Sequence, residues 1–174
     1  KSILAVNKDS LERVLVKNPM IKSAQVYYSL DGYIHVNIQQ REPVLRVLTG
    51  EGYYVDRDGR VMPLSSKFTS RVVVATGDIN KKFACEKLGP FAMKLKNEPF
   101  WDAYIEQLVV RSNEDVVMIP KVGDFRIVLG KVDDCDARLE KLILFLKDGI
   151  TKKGWNRYKE INLKFDNQVV CVRK

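Results

Sequence analysis

The periodicity of the chain changes at Pro19, and that change restricts what residues 18–48 (NPMIKSAQVYYSLDGYIHVNIQQREPVLRVL) can fold into. Ahead of the proline, Leu11, Val14 and Leu15 fall on one helical face, and Asp9 and Glu12 have capping-box spacing. Asp9 is expected to cap the Glu12 amide. Pro19 is expected to end the helix, because the residue before a proline is pushed out of the helical region. Beyond it the period is two. Ala24, Val26, Tyr28 and Leu30 alternate with Gln25, Tyr27 and Ser29, Asp31-Gly32 supplies a tight turn, and Ile34, Val36 and Ile38 alternate back. The expected unit is a helix laid on a two-stranded hairpin that leaves through Arg41-Glu42-Pro43.

After a break at Thr49-Gly50-Glu51-Gly52, residues 53–56 and 61–64 read as strands around Asp58-Gly59, and residues 71–76 as a strand closed by Gly77. Gly89-Pro90 opens a helix that ends before Pro99, with a short turn expected at Phe100-Trp101. Residues 104–112, 116–119 and 125–129 have strand chemistry. Residues 133–147 form an amphipathic helix, with acidic residues at its start, Lys147 in its last turn and Gly149 beyond. Residues 161–165 and 169–173 close the chain as a hairpin around Asp166-Asn167. Strands and helices follow one another without regular βαβ alternation, so the expected class is α+β.

The residues offer little for catalysis. GxSxG, P-loop and HExxH patterns are absent, and His35 is the one histidine, on an expected exposed strand position. Asp56-Arg57-Asp58-Gly59 mimics the middle of a calcium loop, but Ser65 stands where the bidentate glutamate belongs, so a hairpin turn accounts for it better. Asp133, Asp134 and Asp136 fit helix capping rather than a metal site. Cys85, Cys135 and Cys171 include no CxxC pair; they read as three apolar thiols, with one disulfide left open. No catalytic residue, cofactor or metal is therefore expected. No apolar run approaches the roughly 20 residues that cross a bilayer, and no signal peptide is visible, so the chain reads as an excised soluble piece.

The formal net charge of +8 concentrates towards the C-terminus. Lys152, Lys153, Trp155, Arg157, Tyr158 and Lys159 interleave basic and aromatic residues as a single-strand nucleic-acid platform would, although a solvated basic loop explains them more simply. The final strand, Val169-Val170-Cys171-Val172, is apolar with charge only at Arg173 and Lys174. It is either a sheet edge or an ordinary internal strand, and its composition does not choose.

The wording NPMIKSAQVYYS…IHVNIQQREPVLRV, with YYVDRDGRVMPLS and INLKFDNQVVCV further on, resembles the FtsQ/DivIB cell-division family. The resemblance implies a partial POTRA unit over residues 1–47, whose first strand and helix would precede Lys1. It implies a β domain over residues 48–174, with a curved, mostly antiparallel sheet and two or three helices. A single membrane helix and short cytoplasmic tail would lie further upstream, putting this region on the periplasmic or extracytoplasmic side at the division septum. By resemblance, Lys164, Phe165, Gln168, Val169, Val170, Cys171 and Val172 form a docking edge. Its partners would be FtsB/DivIC-like and FtsL-like division proteins, with septal peptidoglycan synthase components a further candidate and no nucleic acid expected. Phe165 would be the aromatic anchor, Lys164 a contact for an acidic partner residue, and Gln168 to Val172 the pairing backbone. Two alternatives stay open: a POTRA-bearing translocation or outer-membrane assembly factor, and a basic nucleic-acid-binding module.

Overall fold

The computed structural model describes residues 7–66, 69–147 and 157–174, and the chain divides into two units, Lys1–Glu42 and Pro43–Lys174. In the first, helix α1 (Lys8–Val16) is followed by β1 (Ile21–Tyr28) and β2 (Ile34–Gln40), an antiparallel pair with Val26 opposite Val36 and Ala24 opposite Ile38. The cap is Asn7 rather than Asp9: its side chain accepts the Ser10 amide at 3.1 Å. Glu12 reaches forward instead of back, and its carboxylate accepts the Val26 amide of β1 at 2.7 Å. That bond leaves the β1 edge partly occupied by its own helix. Of the expected helical face, Leu11 and Leu15 are half-buried while Val14 is exposed.

The second unit begins with β3 (Pro43–Val47), whereas the family resemblance places residues up to 47 with the first. β3 pairs antiparallel with β4 (Tyr53–Asp56) across the turn at residues 48–52, and parallel with β6 (Val73–Gly77), a pairing too distant along the chain to be read from periodicity. The remaining strands are β5 (Val61–Met62), β7 (Ile105–Arg111), β8 (Asp115–Pro120), β9 (Arg126–Gly130), β10 (Tyr158–Asn162) and β11 (Val170–Arg173). They form one nine-stranded sheet in the order β11-β10-β9-β8-β7-β6-β3-β4-β5. Five of its eight pairings are antiparallel, which makes the class α+β with a mostly antiparallel sheet.

Helix α2 (Lys81–Phe83) runs through a π-helical turn (Ala84–Leu88) into α3 (Gly89–Asn97), and α4 (Pro99–Tyr104) occupies the expected Phe100-Trp101 turn. The π turn has a local cause. Pro90 has no amide hydrogen to give Glu86, and the Gly89 amide bonds the Ala84 carbonyl instead. Helix α5 (Asp136–Phe145) crosses between β9 and β10, so those two strands run parallel. No helix among the described residues is long and apolar enough to cross a membrane.

Residues directly opposite across strands share a face, which separates the two sides of the sheet. One register row runs Cys171, Ile161, Ile127, Met118, Leu108 and Ala75, and it joins Leu88, Phe91, Leu95, Leu139 and Leu142 of the helical segments in the core. The opposite row runs Val170, Asn162, Val128, Val117, Val109 and Thr76 and lies outside that core, on the face away from the second unit's described helices.

Candidate partner-binding edge

Among the described residues β11 has one strand neighbour, β10, with Ile161 opposite Cys171 and Asn162 opposite Val170. Which backbone groups remain unpaired follows from two bonds. The Lys174 amide donates to the Arg157 carbonyl at 3.1 Å, and the Leu163 amide to the Val128 carbonyl of β9 at 2.9 Å. Amides alternate in direction along a strand, so residues 170, 172 and 174 face β10. The amide and carbonyl groups of Cys171 and Arg173 therefore point outward. The second bond agrees independently, because it turns Ile161 towards β9 and Asn162 towards β11.

The side chains divide by face. Val170 and Val172 lie on the face away from those helices and are 37% and 39% exposed. Cys171 packs against the core on the other side, and burial pushes its thiol above the ordinary cysteine range. It is a free thiol, as are Cys85 and Cys135.

Lys164 and Phe165 are not strand residues. The Asn162 side chain accepts the Lys164 amide at 3.0 Å and turns the chain out of β10, an Asx-type turn that competes with the ladder. Phe165 stands 46% exposed in the ensuing loop, and the Lys141 ammonium holds its carbonyl at 2.7 Å. Lys164 pairs with Asp115 at 2.5 Å, so its charge already has an acidic partner within the chain. Its stem passes over Gly130, where a Cβ would lie 3.0 Å from Lys164 Cγ and 3.2 Å from Arg138 Nη1. Gln168 and Val169 precede the strand, Gln168 exposed and Val169 packed against the core. The pairing backbone is thus Val170–Arg173, shorter at its start than the expected segment.

Elsewhere the apparent motifs resolve into structure. Asp56 is buried and accepts the amides of Asp58 and Arg60, at 3.0 and 2.7 Å, within its turn. Asp133 and Asp136 pair with Lys87 and Lys94 instead of capping α5, whose N-terminal Cys135 makes no side-chain cap. His35 stacks on Tyr27 with ring centroids 5.0 Å apart. Among the described residues no cluster of His, Cys, Asp or Glu is arranged to hold a metal. Lys152, Lys153, Trp155 and Gly149 lie outside the described residues.

Residues 42–172 match the family model described as FtsQ/DivIB, C-terminal related. The chain belongs to that family. No curated protein matches it. The FtsQ/DivIB match starts one residue before β3 and takes in the whole sheet up to Val172 of β11. The family is one of cell division, its members are non-enzymatic scaffolds that interact with other division proteins, and its domains are associated with division outside the cytoplasm. Sequence reasoning overlooked a further group at the far end of β11, formed by Asp124, Phe125, Arg126, Lys159 and Lys174. Asp124, Phe125 and Arg126 are consecutive at the start of β9, and β10 and the end of β11 bring Lys159 and Lys174 to them, a meeting that no spacing along the chain announces.

Proposed function

We propose that this protein is a divisome scaffold that captures FtsB/DivIC-like and FtsL-like partners by adding a partner strand to β11, and so influences septal peptidoglycan synthesis carried out by other proteins. It would catalyse nothing itself. Residues 1–42 would be the remainder of a POTRA unit, with the whole region extracytoplasmic and anchored by a membrane helix upstream. The observation that carries this reading is the outer side of β11, which no strand occupies among the described residues, and where Cys171 and Arg173 present donors and acceptors that a second strand can satisfy. Val170 and Val172 would add an apolar contact on the face away from the helices, and Phe165 an exposed aromatic anchor.

The test is Arg173→Pro beside Arg173→Ala, with capture of a purified FtsB/DivIC-type extracytoplasmic domain as the readout. Proline removes an outward amide and leaves the bonds to β10 intact, whereas alanine removes only the charged side chain. The expected loss for proline is about tenfold or more beyond that for alanine, corresponding to roughly 1.4 kcal/mol, the scale of one hydrogen bond. If the folded proline variant captures the partner as well as alanine does, edge pairing is wrong.

A further inference from the structure

We propose that the first unit carries a glycan-binding face, the side of the β1–β2 hairpin turned away from α1, and that its ligand is a chain of N-acetylated hexosamines. The site stands on the first unit alone and does not depend on edge pairing at β11.

Cross-strand register sorts the hairpin into two sides. Ala24 and Val26 of β1 are buried on the side where α1 packs. The other side is made of three rungs: Tyr27 opposite His35, Gln25 opposite Asn37, and Ser23 opposite Gln39. All six side chains are exposed. The four steps from residue 23 to residue 27, at about 3.4 Å each, make a surface about 14 Å long, the length of a short oligosaccharide. The Glu12 carboxylate, bonded to the Val26 amide, pins β1 to the helix behind it, so less has to be ordered when a ligand settles.

The chemistry of these six positions sets them apart from the rest of the molecule. None is Asp, Glu, Lys or Arg, although those residues make up 30% of the chain. The large sheet keeps its outward polar positions wet with charge: Arg126 stands opposite Glu160 and pairs with it at 2.7 Å, and Arg111 stands opposite Asp115. The hairpin offers three carboxamides and a hydroxyl in their place, which donate and accept hydrogen bonds without attracting ions. The complementary ligand is therefore neutral and rich in hydroxyl and amide groups.

The aromatic rung narrows this to a sugar. The Tyr27 and His35 rings stack with centroids 5.0 Å apart and planes within 8°. That separation exceeds the roughly 3.5–4 Å of direct ring contact, so the rings are offset, and Tyr27 remains 46% exposed. An exposed tyrosine ring is a flat apolar surface for the C–H side of a sugar ring, whose hydrogens meet its negative face, and it costs little side-chain entropy. On the next rung, Gln25 and Asn37 each hold a carbonyl beside an NH2 group, which matches the N–H and carbonyl of an acetamido substituent. On the last, the Ser23 hydroxyl donates to the Gln39 oxygen at 3.2 Å and leaves the Gln39 NH2 group to donate to a ligand hydroxyl.

The probe is the trimer of N-acetylglucosamine, beside cellotriose, which has the hydroxyls and no acetamido groups. Each is titrated into the full chain and followed by amide NMR. The acetylated trimer is expected to shift the amides of residues 23–27 and 35–39 and to bind about fivefold or more tightly than cellotriose. That binding should persist in about 0.5 M salt, because no charge is engaged. Tyr27→Ala and Asn37→Ala, both at exposed positions, should each weaken it about fivefold, while Tyr27→Phe keeps the ring and the affinity. No shift in the hairpin, or equal binding of cellotriose, overturns the proposal. Binding that disappears in salt also overturns it, by assigning the sugar to the basic surface of the chain.

Discussion

The sheet has two ends, and they are made differently. β5 spans only Val61–Met62, Met62 is buried, and Pro63 follows at once, so little backbone is left for another strand to read. A short edge strand stopped by proline is a common way to prevent unwanted pairing. β11 has twice that length, contains no proline, and shows two valines on its open face, with its charges gathered at the end. One molecule thus carries a blunted edge and an unblunted one. Exposure of a strand is not by itself the signal; the missing protection is, because the same sheet shows what protection looks like.

The comparison can be broken at several points. The largest effect is expected from Ile161→Ala. Ile161 is fully buried between β9 and β11, and its truncation should cost about 2–5 kcal/mol and loosen β10 and β11 together. A melting experiment that finds no loss would mean the C-terminal hairpin contributes nothing to the core.

Next comes a matched pair of prolines. The Val170 amide faces β10, so Val170→Pro should remove a ladder bond and cost about 1–3 kcal/mol. The Val61 amide faces away from β4, because the Asp56 amide bonds the Arg60 carbonyl and fixes the alternation, so Val61→Pro should cost under about 1 kcal/mol. Denaturant midpoints measure both. Equal losses would show that the two edges do not differ as described.

The smallest effect is electrostatic. The Lys174 ammonium, hydrogen-bonded to Asp124, holds that carboxyl below its ordinary value of 3.8. A carboxyl depressed in the folded state adds stability above its unfolded value, and that stability is lost as pH falls through the lower folded value. The group is exposed, so the change in stability should be slight. An NMR titration of Asp124 should reach its midpoint at lower pH than in Lys174→Gln; coincident curves would show that the pair does not hold in solution.

Much of this was legible before any coordinates, and the reason is locality. The helix and hairpin of the first unit, and the meander of β7, β8 and β9, follow from period and turn residues a few positions apart. Pro99 marks two boundaries: α3 ends at Asn97 ahead of it with Glu98 extended, as its position predicts, and the same proline opens α4 where the sequence predicts only a short turn. The β3–β6, β6–β7 and β9–β10 pairings are parallel and long-range, so the strand order, and with it the edge position of β11, was not written in any local pattern. At the site itself, the apolar run of β11 could be read, but the exit of Lys164 and Phe165 from β10 could not. It depends on one Asn162 side chain outbidding the ladder for an amide.

The crossover through α5 has a consequence for how the molecule matures. β10 must find β9 across everything between Gly130 and Tyr158, and the loop-closure entropy of that search is offset only once Ile161 and Leu163 are seated in the core. The rim that a partner would touch is therefore expected to settle only after that closure, and a molecule that has not made it has no seated edge to offer. Recruitment through it would double as a proofreading step, which pulse-labelled exchange would refute if the β11 amides became protected before those of β9.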